Sequence, residues 1–187
     1  MCDQTLVGGL LLAAELALIV ASTMLALAIY DTKSVLTAFL SIGKSLTTAT
    51  FVGAALISLG FAAAALSSGC LSGPCGSQGS AVLTALNVTI GMVTGVLASI
   101  LVCAFFPAAV AVAGPAVLIT LLGAGGSFAY IGAMVSVLTT CLATVGTVSP
   151  VLAIAGGFAF VTAIVVVMLA IYGIVQTIVT ESAAAAG

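Results

Sequence analysis

TLVGGLLLAAELALIVASTMLALAIY, residues 5–30, carries one charged residue, Glu15, in 26 positions. Polar residues do not recur with period two, as they must on a strand of a membrane barrel. The run also outlasts the roughly 20 apolar residues that take a helix across a bilayer core. The stretch therefore predicts a membrane-spanning helix with an acid near its middle.

The same reading extends outward along the chain. Of 187 residues, 64% are apolar and 3% charged, where a soluble domain carries about a quarter charged. Asp3, Glu15, Asp31, Lys33, Lys44 and Glu181 are the whole charged inventory. So few charges cannot dress a water-facing surface, and the exterior is expected to face lipid or other apolar protein. Open sheet edges do not survive in hydrocarbon, which leaves helices. The expected fold class is all-α, a polytopic transmembrane helix bundle forming one integral membrane domain over 1–187. Two lysines, no arginine and no histidine exclude a basic patch for nucleic acid. The opening MCDQTLVGG lacks the positive region of a signal peptide and is expected to stay in the mature protein.

Five spans are expected, with four as the alternative count: 5–30, 45–66, 81–106, 116–145 and 151–180. Residues 35–66 as one helix would measure about 48 Å, against a hydrocarbon core of about 30 Å. Residues 31–44 are accordingly read as an interfacial, partly re-entrant segment that leaves Lys44 at the mouth of the second span. SSGCLSGPCGSQGS (67–80) has the Gly, Ser and Pro of a loop. PAAVAVAGP (107–115), bracketed by prolines, predicts a turn at the membrane surface. GTVSP predicts a second short break, and 181–187 a short tail.

Both lysines fall between the first two spans. The positive-inside bias then gives a cytoplasmic 31–44 segment, an outside N-terminus and 67–80 loop, and an inside C-terminus. LAIY occurs at 27–30 and again at 169–172, and in this topology Tyr30 and Tyr172 share the inner headgroup level. VMLAIYGIV (167–175) resembles the last helix of the proteolipid rotor subunits of rotary ATPases, in which a carboxylate stands five residues before the tyrosine. Val167 holds that place here, and Leu25 holds it before Tyr30. AAELALIV supplies a carboxylate without the tyrosine. The resemblance covers under a dozen residues and implies an ion-translocating role for a membrane carboxylate.

Glu15 lies about 15 Å inside its helix, where an ionised carboxylate costs several kcal/mol even on lenient insertion scales. The neutral acid, donating a hydrogen bond, is the cheaper state. Gly8 and Ser22 share its face one heptad away. Two readings stand. Glu15 and Ser22 form a proton or cation site inside a helix bundle, or Glu15 is a neutral acid bonded to a Ser, Thr or carbonyl of a neighbouring helix. Asn87, Thr89 and Thr94 are candidate partners, while Lys44 is expected at the opposite membrane face.

CLSGPC sets Cys70 and Cys75 on either side of a Gly-Pro turn, on a side where a disulfide between them would persist. Cys2, Cys103 and Cys141 read as a terminal thiol and small apolar packing residues. Two thiolates without histidine do not make a zinc site, so no metal and no cofactor is expected. Small residues recur at packing spacing: Ala13, Ala17 and Ala21 on the first span, Gly91 and Gly95 in GMVTG, and Gly125, Gly126 and Gly132 in GAGGSFAYIG. The last cluster, with Gly123, reads as a packing face or as a broken helix lining a substrate site. Asn87-Val88-Thr89 matches a glycosylation sequon but falls inside a span, where interhelical hydrogen bonding is expected instead.

The sequence holds no histidine, no paired acids and no base beside a serine or cysteine, so no enzyme is expected. Three roles fit. The first is a structural integral membrane subunit packing into a larger assembly, whether homo-oligomer, hetero-complex or viral envelope or coat. The second is a proton- or cation-translocating, proteolipid-like subunit using Glu15. The third is a small-solute carrier or channel. The expected partners are the lipid bilayer and other membrane helices.

Overall fold

The long apolar run after Asp31 does not form one helix. In the computed structural model, which describes residues 2–186, it divides at Ser41, whose extended backbone (φ −75°, ψ 96°) separates a six-residue helix from the span that follows. The helices are α1 (Gln4–Thr32), α2 (Val35–Leu40), α3 (Ile42–Gly69), α4 (Gly76–Phe105), α5 (Val110–Val145) and α6 (Pro150–Ala186). The chain is 91% helical, with no strand among the described residues, an all-α bundle. All helices but α2 are long and apolar enough to cross a membrane, which makes five spans.

Boundaries differ from the expected ones where lipid overrides local propensity. Backbone at membrane depth must bond within its own helix, so α3 runs on to Gly69 and α4 starts at Gly76, cutting the 67–80 loop to residues 70–75. Of the expected turn at 107–115, only Pro107–Ala109 is a tight 3₁₀ turn. α5 then takes Pro115 into its interior. It is carried through because Val110, Ala113, Gly114 and Val117 are buried along one face. The last helix continues to Ala186, and Gly187 lies outside the described residues.

Each long helix packs on two others and the order closes into a ring: α1 on α3, α3 on α4, α4 on α5, α5 on α6, and α6 back on α1. Sequential spans run antiparallel, and the odd count makes α6 and α1 parallel neighbours. α2 lies across one end of the ring and touches all five long helices. Lys33, in the left-handed region at φ 59°, ends α1, and the Ser34 hydroxyl caps α2 by accepting from the Thr37 N–H. Phe39 of α2 is buried, and a Cβ on Gly114 of α5 would stand 3.4 Å from its ring.

The opposite end is laced together. Cys70 and Cys75 are both oxidised, but to Cys2 and Cys141 respectively and not to each other. This corrects the expected Cys70–Cys75 bond and the free thiols at Cys2 and Cys141. The cause is the length of the helices. Cys70 follows the last turn of α3 and Cys75 precedes α4, so each meets the end of the helix packed beside it, α1 for Cys70 and α5 for Cys75. Loops of 68 and 66 residues are closed, worth about 4 kcal/mol each on the chain-entropy model. Gln4 adds a third tie: its amide donates to the Thr147 carbonyl (3.2 Å) and accepts from the Ser149 N–H (2.8 Å), holding α1 to the start of α6.

Candidate functional site

α1 turns Val7, Leu11, Ala14, Leu18, Ala21 and Leu25 inward, and Glu15 falls on the same face. The helix's own periodicity thus carries the acid into the centre. Glu15 is 0% exposed, and neither carboxylate oxygen has a hydrogen-bond partner among the described residues. Lys44 is exposed in the first turn of α3, at the α2 end. Asn87 and Thr94 lie exposed on the outside of α4, away from the acid. Thr89 is buried, but its hydroxyl donates to the Ala85 carbonyl of its own helix at 2.8 Å. The interhelical hydrogen bond that the neutral-acid reading calls for is not formed.

Ser22 is the second anomaly. It is buried and its hydroxyl also lacks a partner among the described residues. Other buried hydroxyls are satisfied locally: Thr48 by the Lys44 carbonyl, Ser127 by that of Ala124, Thr162 by that of Phe158, and Ser45 by that of Phe39. Each of these spends its hydrogen on a carbonyl and keeps an oxygen that can still accept. Ser22 keeps both capacities.

A small cavity beside Ser22, with about 10 Å³ open to a water's centre, is lined from every long helix, by Thr48 of α3, Ile100 of α4, Leu121 of α5 and Leu169 of α6. The bundle axis passes through it. One heptad toward the disulfides, the same five faces present Glu15, Ala55, Val93, Phe128 and Thr162, each 0% exposed. Glu15 therefore lies in a sealed layer with Thr162, with Thr89 one turn away on α4, and among the described residues no titratable side chain faces it from α3, α4, α5 or α6. A further heptad on, Ala62, Leu86, Val135 and Ala155 make an apolar layer. Toward α2, a packing gap too narrow for a water adjoins the first across Leu25, Thr48 and Ile100 and is lined further on by Lys44, Ser45, Ala38 and Phe39. Buried hydroxyls thus flank Glu15 on both sides, Ser22, Thr48 and Ser45 toward α2 and Thr89, one turn from Val93, toward the disulfides.

The small residues divide by face. Ala21, Gly125 and Gly132 are buried, and a Cβ on Gly132 would press into the Phe160 ring of α6 at 2.8 Å. Ala17 and Gly95 are half-buried, the latter against Thr120. Ala13, Gly91 and Gly126 face outward, and the two glycines have open space around them. α5 passes through 123–126 without a break, so the broken-helix site expected of a carrier is absent there. Sequence reasoning missed Gly8, where a Cβ would stand 2.6 Å from the Leu152 nitrogen. Its signal was only a small residue on the Glu15 face. No group of three His, Cys, Asp or Glu capable of holding a metal occurs among the described residues. What this arrangement offers chemically is an isolated carboxyl able to give and take a proton in a closed core.

Compared with known proteins, the chain matches no family model, no curated protein and no solved structure.

Proposed function

We propose that the protein is a non-enzymatic structural subunit of a membrane assembly, joined to a second copy of itself through α4. Asn87 carries this reading. It is exposed on the outer side of α4, eleven residues past the helix start, so about 16 Å deep. An amide facing hydrocarbon is costly until bonded, and an amide both donates and accepts, so an identical side chain satisfies it. Thr84, Gly91, Thr94 and Ala98 share its face at heptad spacing and are exposed as well. The Thr84 and Thr94 hydroxyls bond back to their own helix, and the open space at Gly91 lets a second backbone approach. In this reading the disulfide-bonded end faces the extracytoplasmic side, because disulfides persist where conditions oxidise. Lys33 and Lys44 then fall on the cytoplasmic side. The test is cross-linking in proteoliposomes at several protein-to-lipid ratios. Wild type is expected to give a dimer and Asn87→Leu a monomer with both disulfides intact; equal dimer yield from the two overturns the reading.

A second reading, a proton- or cation-translocating subunit working through Glu15, is favoured by the unpartnered carboxyl and the unpartnered Ser22 on one axis. Proton flux across proteoliposomes that Glu15→Gln abolishes without disturbing assembly supports it. Equal flux with and without the substitution removes it.

A further inference from the structure

We propose that the outer groove between α5 and α6 at the α2 end is a lipid site for a diacylglycerol, a neutral glycerolipid whose free hydroxyl bonds the carbonyl that Pro115 leaves without a partner. The inference rests on neither reading above.

Two cavities meet in this groove. One, of about 200 Å³, is lined by Ser34 ahead of α2, by Ala111 and Pro115 of α5 and by Thr177 and Thr180 of α6. The other, of about 290 Å³, shares Pro115 and Thr177 and continues toward mid-membrane between Leu118 and Ile119 of α5 and Ile174 and Ile178 of α6. Together they fall in the range of about 300–1,000 Å³ that houses small molecules. Ile119 and Ile178 are exposed, so the groove opens sideways into hydrocarbon, and its apolar part suits an acyl chain.

The polar part selects the head. Pro115 has no N–H, so the Ala111 carbonyl one turn earlier loses its helical donor. That carbonyl points along the helix toward residue 115, where the two cavities join. A carbonyl freed by proline in a membrane helix is served by a neighbouring side chain or an ordered water. Thr177 and Thr180 across the groove do not serve it, because they donate to the Gly173 and Gln176 carbonyls of their own helix at 2.9 and 2.8 Å. The walls therefore present three acceptors and one donor, the Ser34 hydroxyl, which accepts from the Thr37 N–H and keeps its own hydrogen. Among the described residues no charged side chain lines either cavity. An uncharged, acceptor-rich wall fits a hydroxyl and not a phosphate, whose oxygens only accept. In a diacylglycerol the hydroxyl and an ester carbonyl are separate atoms, one for Ala111 on α5 and one for Ser34 at α2. A sterol has a single oxygen for both.

The test uses the full protein in phosphatidylcholine vesicles with a diacylglycerol carrying a photoactivatable acyl chain, and mass spectrometry to map the labelled residues. Labels are expected within 115–119 and 174–178 and are displaced by unlabelled dioleoylglycerol. Pro115→Ala, which returns an N–H to the Ala111 carbonyl, is expected to lower labelling about tenfold, the weight of one hydrogen bond. Ile174→Trp, which fills the groove, should abolish it. Ile164→Trp, on the exposed side of α6 and outside both cavities, should leave it unchanged. Labels spread evenly over the outer faces of the helices would reduce the groove to ordinary lipid contact and overturn the proposal. Equal displacement by cholesterol overturns the choice of a glycerolipid, and wild-type labelling of Pro115→Ala overturns the carbonyl as its anchor.

Discussion

Ser45 donates its hydroxyl to the Phe39 carbonyl over 2.9 Å, joining the first turn of α3 to α2 across the break at Ser41. The carbonyl belongs to a helix too short to pair its own last acceptors, and both residues are buried. Ser45→Ala is therefore expected to cost about 1–2 kcal/mol. Hydrogen exchange read by mass spectrometry should rise in 35–40 and stay as it was in α4; a uniform change along the chain would mean that α2 is not held by this bond.

The parallel seam between α1 and α6 depends on Gly8, where added carbon would meet the Leu152 backbone. Backbone does not yield as a side chain does. Gly8→Ala is expected to destabilise by about 2 kcal/mol through overpacking. Gly9→Ala, one position on, where a Cβ meets nothing within 4 Å, should change stability little or raise it slightly. Thermal unfolding in detergent compares the two.

Disulfide mapping by mass spectrometry without reduction should recover peptides joining Cys2 to Cys70 and Cys75 to Cys141. Cys141→Ser is expected to expose one new alkylatable thiol at Cys75 and to lower stability by up to about 4 kcal/mol. Recovery of a Cys70–Cys75 peptide would contradict the ring closure described above.

An unpartnered carboxyl in the core costs stability. Glu15→Leu should remove that cost and stabilise the bundle by about 1–3 kcal/mol. Glu15→Gln, still polar and still unpartnered, should leave it near wild type. A loss of stability in both variants would reveal a partner for the acid.

Much of the architecture was legible before any coordinates. The spans announce themselves through apolar length, and the surplus length of 35–66 pointed to a break before the second span. The centring of Glu15 was not legible. Helices apolar all round carry too weak a periodic signal to say which face meets protein and which meets lipid, and for the same reason Asn87 reads from sequence as one of three candidate partners for Glu15 although it faces out. The cysteine pairing failed on a different ground. Gly, Ser and Pro in 67–80 read as a loop, and nearness in sequence suggested a bond. Once helices claim all but six of those residues, Cys70 and Cys75 close two different helices. Pro115 likewise reads as a stop, yet a buried face on both sides of it keeps α5 going.

The two disulfides enclose successive lengths of chain that do not overlap, 2–70 and then 75–141. During synthesis the first can be sealed as soon as two spans have been inserted, before the second pair of cysteines has both members made. Neither bond has to wait for the other, and no correct pairing threads through a loop already closed. Only α6 enters without a covalent stitch, so completing the ring is its task, performed last.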